Sequence, residues 1–139
     1  MATVFVYGTL MDEAVAGRVL GRIPESKAAV LKGYRRWSLK DRLYPGVQKT
    51  VESDRVRGKV VSVLQDDMQI LDDYEGPEYF RENVTVEVDG DGNRDAFIYL
   101  WKEHLSDQLL GDWSFEDFLE QHRDTFLSYE FFSSDRPKT

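Results

Sequence analysis

The chain contains no cysteine, which excludes disulfides, thiolate nucleophiles and cysteine-ligated metals. Its two histidines, His104 and His122, stand far apart. No set of His, Asp and Glu has metal-ligand spacing, so no metal is expected and both histidines read as structural or surface residues. Basic residues are outnumbered, 18 Lys and Arg against 26 Asp and Glu, for a net charge of −8. They are also scattered; Arg35 and Arg36 form the only adjacent basic pair. A phosphate backbone attracts clustered cations, so no nucleic-acid partner is expected, and the acidity reads as solubility. No window approaches the roughly 18 apolar residues of a membrane span. The first residues, MATVFVYG, lack the basic residues and long apolar run of a signal peptide. The expectation is a cytoplasmic protein without a membrane partner. G-x-S-x-G, Walker and Rossmann motifs are missing as well.

What is present suits one domain over residues 1–139, with 41% hydrophobic and 13% aromatic residues. Neither repeats nor a linker interrupt it. Residues 3–7 (TVFVY) read as a short strand buried on both faces, and 12–20 as a helix capped by Asp12. Residues 28–40 suggest one or two strands around Gly33, 41–50 a loop, and 56–64 a further strand. A helix starting at Asp66 or Asp67 ends at Gly76-Pro77. Residues 79–88 alternate as a strand does, DGDGN at 89–93 signals a hairpin turn, and 95–101 form the next strand. In that strand Ala96, Ile98 and Leu100 share one face, with Phe97, Tyr99 and Trp101 on the other. From Trp113 the pattern is helical, with Ser114 and Asp117 as a shortened capping box. Its residues 126–139 form the helix end and a polar tail. About five or six strands interleave with two or three helices, an α+β domain whose mixed or antiparallel sheet could close into a barrel.

The most unusual acid is Glu75. At about 100° per residue it falls about 40° from Leu71 and about 20° from Met68, on the apolar stripe of its helix. Two readings stand. A carboxyl on a buried face has a raised pKa and can shuttle a proton near neutrality; alternatively the helix has unwound by Glu75 and the acid points to water. Tyr79 and Arg81 share a strand face, where Arg81 pairs with an acid, pairs with a substrate carboxylate, or lies at the surface. Tyr44-Pro45-Gly46 in isolation is an ordinary turn. Residues 4–10, VFVYGTL, run from strand to helix without a charge.

Together these segments resemble the γ-glutamylcyclotransferase-like family, in the branch of the plant avirulence-induced-gene-like proteins and γ-glutamylamine cyclotransferase. VFVYGTL resembles the family's N-terminal YGSL/YGTL loop, LYPG at 43–46 its second loop, and LDDYEGPEYFR at 71–81 its central motif. GDWSFEDFLEQHRDTF at 111–126 resembles the tail of the plant branch. The resemblance implies a small closed mixed β-barrel with flanking helices. It also implies a cofactor-independent reaction in which a glutamyl α-amine attacks its own γ-carbonyl, releasing 5-oxoproline and an amine or amino acid. Carried over, Glu75 matches the catalytic glutamate and the backbone of Tyr7, Gly8, Thr9 and Leu10 the substrate cradle. Tyr44 and Gly46 match the second loop, and Tyr79 and Arg81 residues that support the pocket. Several family members have Ser where this chain has Thr9, which keeps the hydroxyl. The expected partner is a small γ-glutamyl substrate, and the expected state a monomer or weak dimer. Rival readings are a non-catalytic ligand-binding or regulatory module of the same fold in stress or defence, and an interaction domain using the aromatic residues Phe115, Phe118, Phe126, Tyr129, Phe131 and Phe132.

Overall fold

In the computed structural model, residues 1–128 are described. Five strands close a barrel in the order β1 (Ala2–Val6), β5 (Arg55–Val63), β2 (Ser26–Lys32), β6 (Tyr79–Val88), β7 (Gly92–Trp101). All neighbours run antiparallel except β1 and β7, which meet in parallel with Val4 opposite Phe97. The barrel is therefore mixed, as expected. A separate two-stranded hairpin joins β3 (Tyr34–Ser38) and β4 (Pro45–Lys49).

Alternation along the strands builds two apolar layers. One, made of Phe5, Leu31, Val56, Val86, Val88, Ala96, Ile98 and Leu100 among others, is one buried cluster. The opposite residues, including Val4, Val6, Tyr99 and Trp101, join a second cluster with residues of α1 (Glu13–Leu20), α2 (Asp67–Glu75) and the C-terminal segment. The two faces assigned to β7 from its sequence thus belong to different layers, and both are covered.

Three elements depart from the sequence reading. Residues 41–50 are not all loop. After Asp41, at φ 60°, the chain turns back and β4 pairs with β3 from Ser38–Pro45 to Tyr34–Lys49. A segment opening with Pro-Gly carries little strand propensity of its own, but proline is tolerated as a strand's first residue and the partner decides. Strand β7 begins at Gly92, earlier than expected, because Gly90 and Gly92 take the positive φ values of a tight turn. The C-terminal helix is interrupted: Phe115–Asp117 (α3) and Arg123–Leu127 (α4) flank a π-helical turn, Phe118–His122. Ser114 still accepts the Asp117 N–H at 3.2 Å, as its capping role requires. Eight positions in a regular helix would separate Phe118 and Phe126 by about 80° around the axis; the residue inserted by a π turn reduces this to about 20°. Both rings then enter the core, at 5.5 Å in an edge-on pair. Phe118 and Phe126 are therefore core; Tyr129, Phe131 and Phe132 of the same aromatic series lie outside the described residues.

Candidate active site

The strand-to-helix loop after β1 is held from several sides. The Tyr7 hydroxyl donates to the Tyr99 carbonyl at 2.5 Å, and the Thr9 and Tyr74 hydroxyls are bonded at 2.8 Å. Thr9–Met11 forms a 3-10 turn whose first bond runs from Met11 N–H to the Gly8 carbonyl at 3.0 Å. The N–H groups of Thr9 and Leu10 thus precede the first bond of the turn. Gly8 has a definite reason to be glycine: a Cβ there would sit 2.8 Å from Cγ and Cδ of Pro45. The loop and the start of β4 meet more closely than any side chain at position 8 allows.

Helix α2 brings the carboxyl. It stays helical through Glu75 and ends at Gly76, whose φ of 82° suits glycine and whose N–H bonds the Asp72 carbonyl at 3.1 Å. Glu75 therefore sits on the side of buried Leu71 and Met68, which removes the reading in which the helix has unwound before it. Facing the loop, Glu75 helps line a cleft of about 430 Å³, part of it open to solvent. Tyr7, Gly8, Thr9, Leu10, Tyr44 and Tyr79 line the same cleft, with Phe5, Val6, Pro45, Tyr74 and Tyr99.

The electrostatics of this cleft are distinctive. Burial first, and the like charge of Asp72 second, raise the Glu75 pKa from 4.5 to about 8. Half-buried in surface terms, the residue keeps a narrow opening to the cleft while dense protein excludes bulk water. Burial likewise pushes the phenols of Tyr7, Tyr79 and Tyr99 upward, so they remain neutral hydrogen-bond donors. Tyr79 donates to the Pro45 carbonyl at 2.7 Å and Tyr99 to Asp72 Oδ1 at 2.6 Å. Phenols with fixed partners make stiff walls.

Two expected site residues lie elsewhere. Gly46 faces away from the cleft: a Cβ on it would lie 3.0 Å from Trp101 Cβ and 3.2 Å from Leu39, so it permits close packing of β4 on Trp101 and Leu39. Arg81 is two residues along β6 from Tyr79 and does not reach the cleft; it pairs with Asp72 at 3.3 Å and stacks over Phe97 at 5.3 Å. Of the readings open for Arg81, two are observed together: it pairs with an acid and it lies at the surface. Tyr74 and Tyr99 were not singled out from the sequence. Tyr74 adjoins Glu75 and could have been suspected; Tyr99 looks like any core aromatic until the topology sets β7 beside β1. His104 is exposed, His122 half-buried, and neither lines the cleft. Among the described residues no cluster of His, Cys, Asp and Glu could hold a metal ion, and no helix is long and apolar enough to cross a membrane.

A small closed barrel with a tyrosine-walled cleft, one carboxyl of raised pKa and a glycine-containing loop defines the class: a compact α+β barrel domain with an acid-bearing cleft. The chain belongs to the γ-glutamyl cyclotransferase, AIG2-like family, whose model matches residues 4–115. It is 38% identical over 130 residues to AIG2-like protein D of Arabidopsis thaliana, covering 91% of this chain and 85% of that protein. It is also 35% identical over 128 residues to protein AIG2 C of the same plant, covering 89% and 76%. The solution structure of an Arabidopsis thaliana protein superposes with a TM-score of 0.73 at 32% identity, covering 99% of this chain and 95% of that one. A structure of a γ-glutamyl cyclotransferase shares the fold, with a TM-score of 0.63 at 15% identity and coverage of 73% and 66%.

Proposed function

We propose that the protein is a γ-glutamyl cyclotransferase, with Glu75 as the proton carrier. The observation that carries this reading is the pairing of Glu75 with the Tyr7–Leu10 loop across one cleft, the acid held near a pKa of about 8. A γ-glutamyl compound binds with its γ-carbonyl oxygen toward the loop amides and its α-amine toward Glu75. An α-amine titrates near the same pH, so acid and amine can exchange one proton at little cost, and the uncharged amine becomes populated. Its nitrogen attacks the γ-carbonyl carbon, closing a five-membered ring. The carbonyl π electrons move to oxygen, where peptide N–H groups meet the developing charge. Glu75 gives its proton to the departing nitrogen as the original C–N bond breaks and takes up the second proton that the attacking nitrogen must shed, so that neutral 5-oxoproline leaves with a free amine or amino acid. No water or redox partner enters the balance.

Intramolecular attack has a high effective molarity once the chain is folded back, so the protein chiefly folds the substrate and steadies the oxyanion. Neutral donors suit that role in a cleft with no Lys or Arg among its lining residues. The test is 5-oxoproline release from a panel of γ-glutamyl amino acids, γ-glutamyl amines and glutathione. Folded wild type is expected to release it from at least one member, and Glu75→Gln from none at a comparable rate. A silent panel with folded wild-type protein overturns the reading.

A further inference from the structure

Arg36, half of the only adjacent basic pair, is half-buried in a chain with an excess of acids. Yet among the described residues no carboxylate lies within ion-pair distance of it. Its Nη1 instead donates to two neutral acceptors, the Tyr7 carbonyl at 2.7 Å and the Arg57 carbonyl at 3.1 Å, and its guanidinium lies 5.4 Å from the Trp113 ring. Burial opposes its charge while Glu116 and Asp112 act on it only through space, and withdrawing a cation from water without a carboxylate in contact is unfavourable unless its hydrogen bonds compensate. The acceptors it reaches therefore matter.

The Tyr7 carbonyl belongs to the same peptide group as the Gly8 N–H. That peptide is trans, so its C=O and N–H point to opposite sides. With the carbonyl turned toward Arg36, on the β3 and β5 side, the Gly8 N–H is turned the other way. Gly8 lines the cleft, and among the described residues no acceptor is bonded to its N–H. A charged donor on the oxygen of a peptide draws electron density from its nitrogen, and chained hydrogen bonds strengthen one another. The same contact fixes the rotation of the peptide plane. It also engages the carbonyl that a further i→i+3 bond, from Leu10 N–H, would need; the turn's bonds instead start at Met11.

We infer that Arg36 is a positioning residue of the cleft: by holding and polarising the Tyr7–Gly8 peptide from behind, it aims the Gly8 N–H at the substrate carbonyl and strengthens it as an oxyanion donor. The inference rests on the cyclotransferase reading for its catalytic consequence, but its physical content can be read without turnover. Arg36→Lys keeps a charged donor; Arg36→Gln keeps a neutral one; Arg36→Met keeps only the stem.

The experiment combines amide NMR of Gly8 with steady-state kinetics on these variants, each checked for folding by its melting curve. The Gly8 nitrogen and proton resonances are expected to move upfield in Arg36→Met, less in Arg36→Gln, and to stay near wild type in Arg36→Lys. kcat is expected to fall about ten- to thirty-fold in Arg36→Met, below the 10²–10³-fold of deleting a donor outright, with KM within about threefold and substantial recovery in Arg36→Lys. Should Arg36→Met fail to fold, Arg36→Gln against Arg36→Lys carries the comparison. An unmoved Gly8 resonance in folded Arg36→Met or Arg36→Gln overturns the inference, as does a kcat in Arg36→Met that matches wild type or a loss that falls on KM. If wild type releases no 5-oxoproline from any substrate, the cyclotransferase reading fails, and the Gly8 resonance alone decides whether Arg36 polarises this peptide.

Discussion

Two regions of the molecule enclose a carboxyl and treat it in opposite ways. At the junction of α1 with the C-terminal segment, Asp12 is 6% exposed, accepts the Ala14 N–H of α1, and receives a two-pronged contact from Arg123 at 2.7 and 2.8 Å. On the cleft wall, Glu75 stands among phenols with Asp72 three residues earlier on the same helix, and both burial and that negative neighbour raise its pKa to about 8. A guanidinium fork and a peptide N–H make a carboxylate into a clamp. Apolar, phenolic and acidic surroundings make the same group a holder of protons. Burial alone therefore does not identify a catalytic acid; what faces it does.

The largest expected effect lies on the cleft side. Glu75→Gln keeps the shape and removes the transferable proton, so 5-oxoproline release should fall by about 10²–10⁴-fold. Its stability should move the other way, and with pH. Between the ordinary value of 4.5 and about 8, the folded state keeps a proton that the unfolded state has lost. Wild-type stability accordingly declines as pH rises through that window and levels off above it. The variant lacks this decline. Thermal melts should coincide near about pH 5 and separate by several degrees in favour of Glu75→Gln near about pH 9. Melting curves that keep the same separation at both pH values would contradict a buried, proton-holding Glu75.

Next is Gly8→Ala. The added methyl meets Pro45 at 2.8 Å, and the Pro45 carbonyl holds the Tyr79 hydroxyl at 2.7 Å. Relief of that overlap shifts the loop against the opposite wall. A displacement near 1 Å in a positioning element costs about a hundredfold in kcat/KM, alongside about 1–3 kcal/mol of stability. Retained activity in the alanine variant would mean that the loop does not need its close approach to Pro45.

Arg123→Met acts on the other region. It leaves Asp12 buried with its helix-capping bond but without the fork. A measurable loss of stability is expected, smaller than that of a fully buried pair because Arg123 is 39% exposed in its side chain and solvent screens it. Denaturant titration measures it. kcat/KM should remain within about twofold, since Arg123 is not among the residues lining the cleft. A large kinetic loss in a stably folded variant would erase the distinction between clamp and site.

How much of this was legible beforehand depends on range. Features set by neighbours in sequence could be read: the Asp12 cap, the Gly76 stop, the 79–88 strand, the alternation of β7, and the place of Glu75 on the buried stripe of its helix. The YGTL loop and the Glu75 motif were also recognisable as local patterns. Features set by distant partners could not. Strand β4 exists because β3 supplies its ladder, and the π turn exists because Phe118 and Phe126 must reach one core. Gly46 and Arg81 were assigned to the cleft because they belong to the LYPG and LDDYEGPEYFR motifs that carry the family resemblance. Strand alternation turns Gly46 away from its neighbour Pro45, and one strand step carries Arg81 past the opening to Asp72. Tyr99 and Arg36 gave no local signal, since their importance comes from which carboxyl and which carbonyl the fold brings to them.

The smallest effect tests the electrostatics most directly. Asp72 and Glu75 are i and i+3 neighbours on α2, and Asp72 is held by the Tyr99 hydroxyl at 2.6 Å and Arg81 at 3.3 Å. Asp72→Asn removes a negative charge while leaving Tyr99 a carbonyl oxygen to donate to. Glu75 then ionises more readily. In the cyclotransferase reading the acid limb of the kcat/KM profile follows Glu75 in the free enzyme, so it moves to lower pH, by about half a unit to one unit. Burial, the first cause of the raised pKa, is untouched, so the limb stays well above an ordinary carboxylate. Arg81→Met changes the same pair with the opposite sign. It strips Asp72 of its cation, exposes Glu75 to the full negative charge, and moves the limb to higher pH. Both shifts shrink as salt is added, because Asp72 and Arg81 are each 36% exposed in their side chains. Limbs that move in the same direction in the two variants would show that packing rather than charge sets the proton affinity of Glu75.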